Sequence, residues 1–397
     1  VFEILVLLFL FAVLILFGSI EYYFHTKRRE RIPIRIHVNG TRGKSSVTRL
    51  IAAGLREGGL KVFAKTTGTL PIFILPDGSE RDIRRFGVPN ILEQKDAIEE
   101  ASLHSADAIV LECMALIPLN QKVSEEKLIS ATHAVITNIR EDHLEIMGPS
   151  LGDVALAISG SIPKGQVVFT TEKEFLPLLQ KVSTKKRSRL ISVSKEKYDA
   201  NRYMQNFAYY EHFENVILAL EVCESLGVTP DIAIRGMWAS PFDLGASFAC
   251  EFSLGKAEIR FVNGFAANDP YSAQQVWDLA NSASKDIGLR IALVNCRKDR
   301  PERSEQMAKE ILSWKEFPAD LILCTGEGTS VFANSARKLG SGPDRLVLLE
   351  DTDISNVFLK LEELVSSKAL VVGLGNIGGL GIQFVQSLQK KEGLVQV

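Results

Sequence analysis

At 397 residues the chain exceeds what one hydrophobic core usually organises, so two soluble domains are expected. Acidic and basic residues nearly cancel, leaving a formal charge of −2 with 24% charged residues, which excludes the strongly basic footprint of a general nucleic-acid binder. Five scattered cysteines (113, 223, 250, 296 and 324) form no C-x-x-C pair, which argues against a zinc site and for unbridged, mostly buried thiols in a reduced compartment.

The first element is apolar. Residues 4 to 20, ILVLLFLFAVLILFGSI, carry no charge, and EYYF and then KRRER follow. With its aromatic flank the stretch reaches about 20 residues, enough to cross a hydrocarbon core of roughly 30 Å. Tyr22 and Tyr23 suit an interfacial belt, and Lys27, Arg28, Arg29 and Arg31 stand where cytoplasmic positive charge belongs. A cleaved signal peptide would place its positive charge before the apolar run, where this chain has Glu3 and no A-x-A site. A buried core helix would not be lined with Leu, Phe and Ile on every side. The expectation is a single-pass anchor over residues 1–26, with the rest of the chain cytoplasmic.

Next comes IRIHVNGTRGKSSVTRL, residues 34 to 50. Ile34, Ile36 and Val38 alternate with Arg35 and His37, the period of a strand. Val47, Leu50, Ile51 and Leu55 then fall on one helical face, which Gly58 and Gly59 can close. A strand, a glycine turn and a helix start aim backbone N–H groups and the positive helix end at one point, where an anion is stabilised. Gly43, Lys44 and Ser45 match the end of the phosphate-loop pattern G-x-x-x-x-G-K-S/T, but Val38 stands where its first glycine belongs. Lys44 supplies a mobile charge for outer phosphates, and the Ser45 hydroxyl can reach Mg²⁺.

Further strands end in polar residues. ADAIVLECMAL (106 to 116) ends its apolar run at Glu112, and THAVITNIREDHLEIMG (132 to 148) runs into Asn138, Glu141, Asp142, His143 and Glu145. Ligands of open α/β sheets collect at the carboxyl ends of parallel strands, so these loops are expected to converge on the phosphate loop. Glu112 reads either as a metal ligand or as the cap of a helix end, and His143 either as a metal or phosphate contact or as a solvated loop residue. GQVVFT (165 to 170) and SRLISVS (188 to 194) read as strands, and FENVILALEVCESLG (213 to 227) as an amphipathic helix. Residues 239 to 255 read as turn-rich, with a domain boundary near 236 to 245. Strands at 291–296, 320–325, 346–350 and 369–373 then alternate with helical stretches. The fold class expected is α/β: a transmembrane helix (1–26), a P-loop-type ATPase domain with a mostly parallel sheet (27–240) and a smaller Rossmann-like domain (241–397). VVGLGNIGG near the end carries a dinucleotide fingerprint, but too little chain follows Gly378 for the second strand and its ribose-binding acid. It reads as a tight βα turn.

Taken in order, NGTRGKSS, Glu112, TNIREDHLEIMG, HFENVILAL, FVNGFAANDPYS and VNCRKDRPERS resemble the Mur-ligase superfamily of ATP-dependent amide-forming ligases. That family uses a short G-T-x-G-K-S/T loop, which accounts for the missing first glycine. KTTGT at 65 to 69, ECMA at 112 to 115, VNGFAAND and the terminal GLGNIGG, together with the anchor, narrow the resemblance to the membrane-anchored poly-γ-glutamate (capsule) synthase ligase subunits.

The resemblance implies ATP and Mg²⁺ as cofactors. It places Gly40, Thr41, Arg42, Gly43, Lys44, Ser45 and Ser46 on the phosphates, Asn215 near the adenine and Asn263 near the ribose. Ser45, Glu112 and His143 are implied as metal ligands, and Lys44, Glu112 and His143 as the catalytic set. Arg297, Asp299, Arg300 and Arg303 fall in a loop that faces substrate in relatives. FAAND departs from the relatives' YAHNP, with Ala267 in place of histidine, and no equivalent of the family's carbamoylated lysine is assigned. The implied reaction joins glutamate to a growing γ-linked chain through an acyl phosphate. The partners implied are glutamate, the polymer, the membrane and small integral membrane subunits, without nucleic acid and with homo-oligomerisation open. A ligase for another acidic metabolite or cell-wall precursor, and a nucleotide-gated scaffold of an export complex, are the alternatives.

Overall fold

A computed structural model describes residues 2–85, 87–267, 270–350, 353–389 and 394–395. The chain divides into two compact units, one of residues 1–205 and 212–241, the other of 206–211 and 242–397. Helix α1 (Phe2–Glu30) opens the first unit. It has the length and hydropathy to cross a membrane, and its apolar stretch is not buried inside the protein. Its last turns dock on the unit. His25 Nε2 lies 2.8 Å from the Leu128 carbonyl, Arg29 donates to the Lys127 carbonyl at 3.1 Å, and Arg28 pairs with Glu99 at 2.7 Å.

The first unit is built on an eight-stranded sheet, ordered β4-β3-β2-β5-β1-β6-β7-β8. Its strands are β1 (Ile34–Asn39), β2 (Val62–Thr66), β3 (Ile72–Ile74), β4 (Glu80–Asp82), β5 (Ala108–Glu112), β6 (His133–Ile136), β7 (Val167–Thr170) and β8 (Arg189–Ser192). All neighbours are parallel except β2–β3 and β3–β4. Central β1 lies between β5 and β6, so its far end meets the ends of both neighbours. Helix α2 (Lys44–Glu57) buries Val47, Leu50, Ile51 and Leu55 completely, the face that the sequence spacing marks. Gly54 of α2 lies where a Cβ would come within 2.8 Å of Cys223 Sγ, and its absence lets helix Phe213–Ser225 pack closely. Phe63, Ile98, Ile109 and Leu111 belong to one apolar cluster of this unit, and Ile136, Val154, Ile158 and Val168 to another.

The second unit holds a seven-stranded sheet, ordered β13-β12-β11-β14-β10-β9-β15. These strands are β9 (Ala249–Leu254), β10 (Ala257–Asn263), β11 (Leu289–Cys296), β12 (Leu321–Gly326), β13 (Leu346–Leu349), β14 (Lys368–Gly375) and β15 (Leu394–Val395). The run from β13 to β10 is parallel, and β9 is antiparallel to β10 and β15. Trp277 and Trp314 stack at 4.8 Å within its core.

Two features differ from the sequence reading. Residues 249–254, inside the stretch read as turn-rich, are strand β9, which closes a hairpin with β10 through Gly255 at φ 54°. The hairpin's ladder supplies the order that small residues and glycines conceal locally. Residues 206–211 join the second unit, where Tyr210 N donates to the Ser247 carbonyl at 2.7 Å and the Tyr209 ring meets Phe242 at 5.1 Å. The single range 27–240 did not anticipate this exchange. All five cysteines are free and buried.

Candidate active site

The turn after β1 is shaped by contacts with the turn after β6. Gly40 runs at φ 136°, and a Cβ there would meet Thr137 Oγ1 at 2.0 Å, so only glycine fits. Asn138 braces the loop. Its carbonyl accepts from Thr41 N at 3.0 Å, and its side-chain oxygen accepts from Thr41 Oγ1 at 2.8 Å and Arg42 N at 3.1 Å. Thr137 Oγ1 donates to the Arg42 carbonyl at 2.6 Å. Gly43, left-handed at φ 80°, packs against Asn215, whose Oδ1 would lie 2.6 Å from an added Cβ. The first intrahelical bond of α2 runs from Val47 N to the Gly43 carbonyl, so the amides of Lys44, Ser45 and Ser46 precede it at the positive helix end. Lys44 Nζ folds over the loop and donates to the carbonyls of Gly40 at 2.8 Å and Thr41 at 3.0 Å.

Glu112, 2% exposed at the end of β5, sits beside this helix start. Its Oε2 accepts from Ser45 Oγ at 2.9 Å and from Thr67 N at 2.6 Å, while its carbonyl accepts from the buried Gln94 side chain at 3.1 Å. A hydroxyl and a carboxylate at this spacing form an oxygen donor pair suited to a hard cation, which draws its remaining ligands from water and phosphate. Ser45 and Glu112 therefore fit Mg²⁺. Next to them, Lys65 is wholly buried with its Nζ 3.2 Å from Glu93 Oε2, and Arg85 grips the same carboxylate at 2.8 and 3.0 Å. Burial holds the Lys65 ammonium below its ordinary pKa, with Glu93 opposing.

His143 stands differently. It is left-handed at φ 46°, its side chain is 44% exposed, and its ring faces Glu145 at 3.2 Å and Asp142 at 3.7 Å. Among the described residues no group of three or more His, Cys, Asp and Glu side chains is placed to hold a metal. The contacts of its ring are thus with carboxylates of its own loop.

A cavity of about 550 Å³ opens beside the phosphate loop, lined by Arg42, Gly43, Asn138, Lys195, His212 and Asn215 among others. Its floor is fixed by Glu172, buried, which accepts from Ile139 N and Glu174 N at 2.8 Å each. Asn138 lies in the loop the sequence sends toward the phosphate turn, whereas Thr137 and Glu172, which also carry the loop's geometry, were not among the sequence candidates. Their position just after β6 and β7 is the signal that could have found them.

Beneath the loop, His37 of β1 is fully buried with Nδ1 2.8 Å from Glu125 Oε2, and Ala131 N donates to Glu125 Oε1 at 2.8 Å. Glu125 lies in a π-helical turn, Ser124–Ile129. Burial works against a charged His37, yet the Cys113 thiol and the Glu125 carboxylate overcome it and raise the imidazole to about 9.

In the second unit, Asn263 is 1% exposed and its amide donates to the carbonyls of Leu244 at 3.0 Å and Ala246 at 2.8 Å. The asparagine expected at the ribose straps its own unit's entry turn, and the contacts it makes there do not support the ribose role. Asn268 and Asp269 of FAAND lie outside the described residues. Arg297 pairs with Asp299 through two bonds, at 2.9 and 2.8 Å, and Arg300 beside it is exposed. Arg303, in the first turn of helix Pro301–Ser313, donates to Asn376 Oδ1 at 2.7 Å. Arg297 and Asp299 line a cavity of about 620 Å³ shared with Gly378 and Leu380. The glycine turn after β14 leads into helix Leu380–Gln389, a βα turn as its sequence suggests.

The profile of the Mur ligase middle domain matches residues 38–236, and that of the poly-gamma-glutamate synthase CapB C-terminal domain matches residues 251–391. The chain is 33% identical over 381 residues to the capsule biosynthesis protein CapB of Bacillus anthracis, covering 96% of this chain and 81% of the relative. It is 32% identical over 381 residues to the PGA synthase CapB of Bacillus subtilis, covering 96% of both. Among solved structures, the folylpolyglutamate synthase of Thermotoga maritima superposes with a TM-score of 0.64 at 16% identity over 94% of each chain. The bifunctional folylpolyglutamate synthase/dihydrofolate synthase of Yersinia pestis, complexed with AMPPNP and Mn ion, gives 0.65 at 15% identity over 93% of each. At these identities the superpositions establish a shared fold.

Proposed function

The chain belongs to the CapB poly-γ-glutamate synthase family of Mur-type ligases, ATP-dependent enzymes that make γ-glutamyl amide bonds for capsule synthesis, and from this we propose how its own residues divide the work. The observation that carries the assignment is the Ser45 hydroxyl held 2.9 Å from the Glu112 carboxylate at the mouth of the β1 turn. The amides of Lys44 to Ser46 receive the outer phosphates of ATP, and Lys44 turns from its loop carbonyls onto them. Ser45 and Glu112 would hold Mg²⁺, which would supply charge neutralisation for phosphoryl transfer. His143, half-exposed in the loop after β6, is kept as a proposed second metal contact. Asn215, packed on Gly43, borders the cavity that suits the nucleoside.

A terminal γ-carboxylate oxygen of the acceptor chain attacks the γ-phosphorus, ADP departs, and an acyl phosphate forms. The amine of the incoming glutamate then attacks the acyl carbon and inorganic phosphate leaves, with the amide as product. Arg297, Arg300 and Arg303 supply guanidinium groups of the kind that bind carboxylates in pairs. The length and apolarity of α1 support a span across the cell membrane with the catalytic units on the cytoplasmic side, where small integral membrane subunits would carry the polymer onward.

Reconstitution in membranes with ATP, Mg²⁺ and glutamate tests this reading. Phosphate release that depends on glutamate, together with γ-linked polymer, is the expected result. ATP binding without glutamate-dependent release would overturn it in favour of a scaffold, and turnover with a different acidic acceptor would redirect the substrate.

A further inference from the structure

A cavity of about 700 Å³ lies at the opposite edge of the first sheet from the phosphate loop, where Arg35, Ala131 and Gln166 mark the starts of β1, β6 and β7. Its lining holds five cations, Arg35, Lys122, Lys164, Lys185 and Lys186, against Glu125 and Glu126. Glu125 is already committed to His37, so positive charge is in excess. Two of the cations are set into the wall. Arg35 donates to the carbonyls of Ser130 at 2.9 Å and Ile32 at 2.7 Å, and Lys186 to those of Gly160 at 3.1 Å and Ile162 at 2.6 Å. Lys122, Lys164 and Lys185 are exposed.

The same cavity has an apolar side. Leu156 is 60% exposed there beside the half-buried Val182, and the buried Ile162 and Pro163 back the wall behind them. The π-helical turn Ser124–Ile129 ties the cavity to the anchor, because Glu125 and Glu126 line it while the carbonyls of Lys127 and Leu128 hold the last turns of α1. After burial, the charge of Arg29 in that last turn is what most disfavours the positive charge on Arg35, so the two guanidinium groups share one field. Arg29 lies about 9 Å beyond Tyr23 along the helix axis at ~1.5 Å per residue, within reach of a headgroup layer.

We propose that this cavity binds the phosphate headgroup of an anionic phospholipid in the cytoplasmic leaflet, with Lys122, Lys164 and Lys185 around the phosphate and Leu156 against the start of the acyl chains. The inference rests on α1 spanning the bilayer. An anionic polymer would satisfy the lysines but has no use for the apolar wall, whereas a phospholipid brings both chemistries.

The full-length protein is reconstituted in phosphatidylcholine nanodiscs containing a minority of phosphatidylglycerol with a photoactivatable headgroup. Labelling is then mapped to peptides. In the wild type, label falls on the peptides around Lys122 and Lys185. In the triple variant K122Q/K164Q/K185Q it drops about 100-fold, at roughly fivefold per lysine near an anionic surface. Turnover in phosphatidylcholine alone stays unchanged, since none of the three belongs to the catalytic site. Leu156→Gln also lowers lipid labelling, which a site for soluble anions would not show. Unchanged labelling in the triple variant overturns the proposal, as does equal displacement of the label by inorganic phosphate or soluble polyglutamate. Failure of the wild type to enter phosphatidylcholine nanodiscs would overturn the spanning premise itself, and is read separately by flotation.

Discussion

Two glycine turns in this protein look alike and do different things. NGTRGKS follows β1 and opens α2; GLGNIGG follows β14 and opens helix Leu380–Gln389. Both leave a parallel strand and both place glycines at positive φ, Gly40 and Gly43 in one, Gly375 and Gly379 in the other. The first is braced from outside by Asn138 and Thr137, and its helix start meets a hydroxyl and a carboxylate. The second is filled by its own unit. Asn295 Nδ2 donates to the carbonyls of Asn376 at 2.6 Å and Gly378 at 2.8 Å, and a Cβ on Gly378 would lie 2.2 Å from Arg297 Nη1. Glycines set the bend; the side chains brought by neighbouring strands decide whether an anion has room.

Substitutions can break this contrast, and their effects on turnover should fall in a definite order. Lys44→Ala removes the ammonium from the first turn, and glutamate-dependent phosphate release should drop by ~10²-fold or more. Near-normal release would erase the distinction between the turns. Glu112→Gln keeps shape but removes the charge a hard cation needs, so the Mg²⁺ concentration for half-maximal activity should rise roughly 10-fold or more. A Mg²⁺ titration with unchanged midpoint would leave Glu112 as a structural cap on Ser45 and Thr67.

Gly375→Ala probes the second turn. With φ at 93° and a Cβ 2.7 Å from the Asn295 carbonyl oxygen, it should destabilise the second unit by about 1–3 kcal/mol. ATP affinity should survive it, whereas Gly43→Ala, strained at φ 80° against Asn215, should lose nucleotide binding. Paired melting curves and nucleotide titrations would expose any crossing of these outcomes.

The smallest effect on turnover concerns the support beneath the first turn. His37 is raised from 6.5 to about 9 in the folded protein, so its pairing stabilises the fold fully below about pH 6.5 and loses that contribution as pH rises through about 9. Denaturant melts of wild type and the His37→Gln/Glu125→Gln variant should converge in that window. A gap that stays constant from pH 6 to 10 would place the stabilising effect elsewhere.

The phosphate turn was legible because strand alternation, glycines and the helical face of Val47, Leu50, Ile51 and Leu55 agree across a few residues. Glu112 was legible too, as a carboxylate ending an apolar run. Glu172 and the Lys65–Glu93–Arg85 cluster were not, since each acquires its partner only when the strand order places distant loops side by side. Asn263 shows the converse. A family motif suggested a ligand contact, but the side chain is turned inward by carbonyls of Leu244 and Ala246 that no local pattern reveals. Strand β9 escaped for a similar reason, its order coming from the ladder with β10.

The docking of α1 has a mechanical consequence. Only Arg31, Ile32 and Pro33 separate the helix from β1, and the clasp by Leu128, Lys127 and Glu99 removes what little slack three residues would allow. With α1 in the bilayer, the six residues of β1 then act as a rigid post of about 20 Å at ~3.3 Å per residue, with the phosphate turn at its tip. Such an enzyme cannot roam on a leash. Under the proposed spanning of α1, the phosphate turn would stay at one fixed standoff from the membrane, and the lengthening chain would be fed past a stationary site.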